Sequence, residues 1–187
     1  MDIESLKFYN GYGGFDAERG EYVICENTPL PWINCIASLA GEPFGFLISE
    51  KGGGYVWQEN SRENPLTQWY CDPASDPSDE RYEILLRGEA AGFSPFDGCT
   101  ARHGFGYSVF TGARSGLRWE LTVFVPYGRP VKVSVLSLTA QEQDREVSFT
   151  SIVRFLLPGR DAFIKLKKAI RAGLSFCWRK RRRPLRA

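Results

Sequence analysis

The 187-residue sequence lacks features that mark several common classes of protein. No uninterrupted apolar run approaches the roughly 18 residues that a membrane-spanning helix requires. The N-terminus lacks the basic and then apolar stretches of a secretory signal. The cysteines contain no C-x-x-C pair and are odd in number, which favours reduced thiols and gives no zinc site. These absences predict a cytoplasmic protein. The cysteines are Cys25, Cys35, Cys71, Cys99 and Cys177.

Charge is divided unequally along the chain. Residues 1–157 contain 13 of the 24 lysines and arginines and 21 of the 22 acidic residues, for a net charge of −8, whereas residues 158–187 have a net charge of +10. Segments of such different composition rarely form one structural unit. We therefore predict a domain over residues 1–157 and a basic tail, helical or disordered, over residues 158–187.

Short runs of β-branched and aromatic residues alternate with glycine and proline over residues 1–157. In residues 118–125 positions 119, 121, 123 and 125 are apolar while positions 118, 120 and 122 are polar, which is the period of a half-buried strand. Residues 114–116 and 126–130 are typical of hairpin turns. This pattern predicts an all-β fold, an antiparallel β-sandwich. The predicted strands are 21–25, 44–49, 54–58, 83–87, 106–111, 118–125, 131–140 and 146–153.

Two glycine-rich stretches and one Cys–His pair do not match catalytic motifs. Residues 10–15 and 51–55 lack the Gly-Lys-Ser/Thr and the helix that follow a phosphate-binding loop, so tight turns explain their glycines better. Cys99 lies four residues before His103, the single histidine. No base or orienting group is evident for a thiol nucleophile, so we assign no catalytic residue and no metal ligand.

Residues 55–70 have the composition of a carbohydrate contact. Aromatic side chains cover the apolar faces of sugar rings, and amide, guanidinium and carboxylate groups pair with hydroxyls. An ordinary long loop anchored by a buried tryptophan is the alternative interpretation. The candidate contacts are Trp57, Arg62, Glu63 and Asn64.

A second candidate lies in residues 101–108, where Arg102 and His103 are followed by glycines. Glycines let a backbone approach a ligand closely, and arginine suits an anionic or hydroxyl-rich one. A glycine-rich lead into a strand, with Arg102 in a salt bridge, is the alternative interpretation.

Nine segments resemble, in order, those of one known family. Together they resemble the N-terminal β-sandwich, of supersandwich type, of the family-94 glycoside phosphorylases (formerly glycosyltransferase family 36), over residues 6–155. NSREN and DPASDP are most similar to the phosphorylase-like C-terminal module of bacterial cyclic β-1,2-glucan synthases. The segments are FYNGYGGF (8–15), EYVI (21–24), TPLPWIN (28–34), FGFLISE (44–50), GYVW (54–57), NSREN (60–64), DPASDP (72–77), RHGFGY (102–107) and ELTVFVP (120–126).

The resemblance implies a function for the sandwich. In the family it packs on an (α/α)6 barrel, where phosphate attacks a β-glucoside with inversion and a barrel aspartate is the general acid. The partners implied are a β-linked gluco-oligosaccharide, the catalytic barrel and a second subunit in a homodimer. Inorganic phosphate is the co-substrate of the full-length enzyme, and no cofactor is implied. Arg102 and His103 first, and Trp57 with residues 62–64 second, are implied as substrate contacts rather than catalysts.

The sequence departs from the family after residue 155. No counterpart of the barrel aspartate is present, so we expect this chain alone not to turn over sugar phosphates. The tail has apolar residues at helical spacing, which predicts a short basic helix. Such a helix could lie on an anionic membrane, the tail could be a nucleic-acid or localisation patch, or it could be an out-of-frame end without a selected role.

We therefore predict a carbohydrate-binding N-terminal module of a cellobiose-type phosphorylase or cyclic β-1,2-glucan synthase, without the barrel and without a nucleic-acid partner. The alternative is a stand-alone, noncatalytic sugar-binding or interaction protein whose basic tail contacts a membrane. A purely structural sandwich whose loops bind nothing is the third hypothesis.

Overall fold

The computed structural model describes residues 3–38, 40–141, 145–157, 160–172 and 176–181. Within these ranges a short 3-10 helix, Ile3–Ser5, is followed by strands. The strands are β1 (Gly13–Asp16), β2 (Glu21–Ile24), β3 (Ile33–Ser38), β4 (Phe44–Ser49), β5 (Val56–Gln58), β6 (Glu80–Leu86), β7 (Thr100–Gly104), β8 (Tyr107–Arg114), β9 (Leu117–Phe124), β10 (Val133–Ala140), β11 (Arg145–Leu157), β12 (Arg160–Ala172) and β13 (Phe176–Arg181).

The strands form one large sheet and two small ones. The large sheet has the order β1-β2-β7-β8-β9-β10-β13, and the small sheets have the orders β12-β11-β6 and β3-β4-β5. Neighbouring strands are antiparallel, which confirms the predicted all-β fold. Ser115 and Gly116 both have positive φ, 51° and 73°, as a two-residue type I′ turn requires between β8 and β9.

The three sheets share one hydrophobic core. Each contributes a fully buried phenylalanine: Phe110 from the large sheet, Phe46 from β4 and Phe149 from β11. The alternation predicted for residues 118–125 is present, because Trp119, Leu121 and Val123 are buried while Glu120 and Thr122 between them are not. The core thus lies between the large sheet and the two small ones.

One buried ion pair connects all three sheets. Lys132, just before β10, pairs with Glu80 of β6, and its ammonium lies 4.1 Å from the centroid of the Phe46 ring in β4. Lys132 is 4% exposed and Glu80 is 8% exposed. A charge removed from water at such a site is strongly unfavourable unless it is paired, so each residue depends on the other.

The helix expected for the basic tail is not found, because the residues described there form β12 and β13. β12 pairs with β11 along its whole length, so its backbone hydrogen bonds belong to a sheet. The sequence permits this, since Ile164, Leu166 and Ile170 are also separated by even numbers of residues, the apolar spacing typical of a strand. Residues 158–159, 173–175 and 182–187 lie outside the described residues. The division between residues 157 and 158 stays a prediction.

In the part of the chain that the structure describes, no helix has both the length and the apolar character needed to cross a membrane.

Replacing Lys132 by methionine should lower the free energy of unfolding by about 3 kcal/mol, because the buried Glu80 loses its ion pair with Lys132. The double variant with Lys132→Met and Glu80→Gln should lose much less than the sum of the two single losses. Urea denaturation measures all four stabilities. Arg62→Ala, at an exposed ion pair, serves as the control and should leave stability unchanged. Additive losses at positions 80 and 132 would contradict the coupling.

Candidate functional site

Three aromatic side chains, tilted against one another, form a cluster at β5. The ring centroid of Tyr55 lies 5.2 Å from the centroids of both Trp57 and Trp69, with interplanar angles of 39° and 40°. All three residues are half-buried. We call Tyr55, Trp57 and Trp69 the aromatic platform. It presents partly exposed ring surface of the kind that packs against the apolar faces of sugars.

Gly45 of β4 positions Trp57. The two residues lie opposite each other in the β4–β5 register. A Cβ atom added to Gly45 would lie 2.5 Å from Cζ2 of the indole, so the ring lies directly over the main chain of β4. Val56, the neighbour of Trp57, is buried in the core. Trp57 therefore occupies the outer face of the three-stranded sheet.

A tight polar turn lies next to the platform. Oδ1 of Asn60 accepts hydrogen bonds from the backbone N–H groups of Arg62 (2.8 Å) and Glu63 (3.0 Å). The Arg62 and Glu63 side chains are 92% and 73% exposed, and Nε and Oε1 lie 3.6 Å apart. The hydroxyl of Tyr55 donates to the carbonyl oxygen of Ser61 (3.3 Å), which connects the turn to the platform.

Asn64 closes this turn and returns the chain to β5. Its N–H donates to the carbonyl oxygen of Asn60 (2.9 Å), and its own carbonyl oxygen accepts from the N–H of Gln58 (3.1 Å). The structure thus brings Trp57 and the three candidates at 62–64 into one surface region. Tyr55 and Trp69 lie in the stretch 55–70 that the sequence indicated as a carbohydrate contact, but they were not among the four contact residues chosen from it. The spacing of Tyr55 and Trp57 by two residues was the available signal, because it places both on one face of a strand.

Arg102 and His103 lie in strand β7. Their side chains lie on opposite faces of the large sheet. The Arg102 guanidinium is within 3.5 Å of a Glu21 carboxylate oxygen and 3.7 Å of one from Glu120. Tyr107 donates a hydrogen bond to the other oxygen of Glu21 (2.7 Å). The salt bridge considered as the alternative role of Arg102 is therefore present.

His103 belongs to a chain of hydrogen bonds between the sheets. Its Nε2 lies 3.2 Å from the carbonyl oxygen of Trp32, which only accepts, so Nε2 carries the proton. Its Nδ1 accepts from the hydroxyl of Ser108 (2.8 Å), whose oxygen accepts from Nδ2 of Asn34 (3.0 Å). Burial lowers the pKa of His103 and keeps the ring neutral. Because both nitrogens have protein partners, His103 holds β3 against the large sheet, and its contact with a sugar stays a prediction.

Glu50 is a buried polar residue that the sequence analysis missed. Its carboxylate accepts hydrogen bonds from the N–H of Trp32 (2.8 Å) and from the hydroxyl of Thr28.

The Cys99 thiol lies 3.8 Å from the Glu50 carbonyl oxygen, and burial raises the pKa of Cys99 to about 12. A thiol with such a pKa is protonated at neutral pH and is a poor nucleophile. Among the residues that the structure describes, no three His, Cys, Asp or Glu side chains are grouped as metal ligands would be.

Comparison with known proteins assigns the chain to a family. The model of the glycosyl hydrolase 94 supersandwich domain matches residues 20–166. This chain belongs to the glycosyl hydrolase 94 family. It is 32% identical over 150 residues to the cyclic β-(1,2)-glucan synthase NdvB of Rhizobium meliloti (strain 1021). The aligned region covers 74% of this chain and 5% of the length of that protein. The glycosyl hydrolase 94 match confirms the resemblance, and it contains the aromatic platform, the polar turn and strand β7. It extends to residue 166, so the likeness to the family does not end at residue 155 as expected.

The His103 ring should titrate below its usual pKa of 6.5. The folded chain then binds a proton less readily than the unfolded chain, so this histidine makes the free energy of unfolding fall as the pH decreases through 6.5. Because it is the single histidine, its Cε1–H signal in NMR reports the midpoint directly. In His103→Gln, a side chain that does not titrate, this part of the pH dependence should disappear. A midpoint at or above 6.5 would show that the ring is not held neutral.

Proposed function

We propose that this chain is a carbohydrate-contacting module that binds a β-linked gluco-oligosaccharide at the aromatic platform and the adjoining turn, residues 60–64. The observation that carries the proposal is the stack of three partly exposed rings beside an exposed Arg–Glu pair, on a supersandwich of the glycosyl hydrolase 94 family.

The physical reason is the combination of apolar and polar groups in one place. A sugar ring that covers Trp57 removes apolar surface from water. This burial stabilises the complex by about 25 cal/mol for each Å² of apolar surface. Its hydroxyls then meet the side chains of Arg62 and Glu63, which are exposed and hence remain able to exchange water for ligand. Since each contact is small and solvent-exposed, affinity for a short oligosaccharide is expected to be weak.

No residue of this chain is assigned to catalysis. In this proposal the chain contacts the substrate and takes part in an activity of a larger enzyme. That activity is inverting phosphorolysis of a β-glucoside, as in a cellobiose-type phosphorylase, or the synthesis of a β-1,2-glucan, as the name of the relative NdvB states for that protein. In this proposal Arg102 and His103 support the sheet on which the site is built, since both are held by protein partners.

Trp57→Ala should weaken binding of β-1,2- or β-1,4-linked gluco-oligosaccharides by about tenfold, which corresponds to about 1.4 kcal/mol. Isothermal titration calorimetry, or NMR chemical-shift titration for millimolar affinities, measures this change. Tyr127→Ala removes an aromatic residue that is 90% exposed and outside the platform, so it serves as the matched control and should bind as the parent does.

Gly45→Ala tests the same site without removing a ring. Its new methyl group would displace the Trp57 indole, so sugar affinity should fall although every aromatic residue remains. Circular dichroism confirms that each variant is folded. Equal affinity of the Trp57→Ala and Tyr127→Ala variants, or no binding of any β-linked gluco-oligosaccharide, would overturn the proposed function.

A further inference from the structure

Trp69 lies farther from regular secondary structure than the other two rings of the aromatic platform. Trp57 belongs to β5, and Tyr55 directly precedes that strand, where its carbonyl oxygen accepts from the N–H of Leu47 in β4 (2.9 Å). Trp69 lies in residues 59–79, a stretch that the structure describes throughout and that contains isolated bridges but no strand. Contacts other than a strand ladder therefore have to place the Trp69 ring.

The carboxylate of Asp79 holds the residues on both sides of Trp69. Its Oδ2 accepts a hydrogen bond from the backbone N–H of Gln68 (2.9 Å), and its Oδ1 accepts one from the hydroxyl of Tyr70 (2.7 Å). The hydrogen bond to Asp79 raises the pKa of Tyr70, so the hydroxyl keeps its proton at neutral pH and remains a donor. One side chain thus fixes the chain immediately before and immediately after a ring of the platform.

Asp79 is itself fixed to a different sheet from the one that carries Trp57. It directly precedes β6, and its carbonyl oxygen accepts from the N–H of Arg154 in β11 (3.0 Å). Asp79 is 8% exposed, and an acceptor removed from water in this way needs protein donors. Trp57 belongs to the sheet β3-β4-β5, whereas Asp79 connects Trp69 to the sheet β12-β11-β6. The platform therefore depends on both small sheets.

Thr67 fixes the same segment two residues before Trp69. Its hydroxyl oxygen accepts from the N–H of Val56 in β5 (2.9 Å), and the residue is 1% exposed. Because Asp79 holds the next residues, the backbone of Trp69 has few conformations left between the two anchors. A ring that is in place before a ligand arrives loses little conformational freedom on binding, which favours affinity.

We infer that Asp79 is a positioning residue for carbohydrate binding, because its carboxylate holds Trp69 against Tyr55 by bonding to the residues on both sides of that ring. The inference rests on the proposed function, since it concerns the same surface. Asp79 acts through Trp69 and does not itself contact the sugar, because it is buried and both of its oxygens have protein donors.

Replacements that keep or remove the two hydrogen bonds test this role. Asp79→Leu removes both bonds and should weaken binding of β-linked gluco-oligosaccharides by about fivefold, the loss typical of one aromatic contact. Asp79→Asn should bind as the parent does, since its oxygen can accept from Gln68 and its amide can donate to the hydroxyl oxygen of Tyr70. Tyr70→Phe removes one of the two bonds and should lie between these variants. Isothermal titration calorimetry or NMR titration measures each affinity.

Tyr12→Phe is the matched control for Tyr70→Phe. It removes a hydroxyl from a tyrosine of similar exposure outside the platform, 37% for Tyr12 against 40% for Tyr70, and should bind as the parent does.

A double-mutant cycle separates positioning of Trp69 from a general effect on the fold. If Asp79 acts through this ring, Asp79→Leu should cause no further loss of affinity in a chain that already carries Trp69→Ala. Tyr70→Phe gives a second cycle with Trp69→Ala at a partly exposed residue, so the test remains available even if Asp79→Leu does not fold. Additive losses in the cycle of the folded variants would contradict the inference.

The Nε1–H signal of the Trp69 indole gives a readout that needs no sugar. This NMR signal is assigned by its absence in Trp69→Phe, and it should move in Asp79→Leu and in Tyr70→Phe but stay at the parent position in Asp79→Asn. An unmoved signal in every folded variant, or an Asp79→Asn chain that binds as weakly as Asp79→Leu, overturns the inference. If the parent chain binds no gluco-oligosaccharide, the proposed function fails, whereas this signal still decides whether Asp79 places Trp69.

Discussion

A buried lysine ammonium determines how the three sheets lie against one another. Lys132 is paired with Glu80 inside the core, and the Phe46 ring of β4 covers its ammonium from a third sheet. This contact connects β4 to the other two sheets. Since Gly45 of β4 lies under Trp57, an electrostatic requirement inside the sandwich also determines where an aromatic surface appears outside it.

The three-stranded sheet β3-β4-β5 separates two environments. Its inner face, with Ile36 and Phe46, is packed into the shared core, and its outer face holds Trp57. The hydrogen-bond chain through His103 and Asn34 holds β3 to the large sheet from within. The aromatic platform is thus carried by a sheet whose other face is packed into the core.

The elements that could be predicted from the sequence are those with a local signal. β9 alternates in polarity, and Ser115-Gly116 is a turn that few other residues can form. β3 was not predicted, because its small and polar residues follow two prolines and become a strand only by pairing with β4. The expected C-terminal helix is not found, because a spacing of three and four residues can also satisfy a strand once a partner is present.

The same distinction applies to the candidate site. Trp57 and residues 62–64 are close in sequence, so their proximity on the surface could be predicted. Trp69 reaches the platform only through the folded path of the chain. Arg102 and His103 are neighbours in sequence, yet a strand sends adjacent side chains to opposite faces. A joint contact of both side chains with one ligand therefore stays a prediction.

The locked His103 ring has a consequence for the interior as a whole. Imidazole ordinarily changes charge near neutrality, as thiols do at somewhat higher pH. Here the imidazole is held uncharged and the Cys99 thiol is held protonated. The space between the sheets therefore holds both groups uncharged at neutral pH, although each belongs to a residue type that elsewhere changes charge within a few pH units of neutrality.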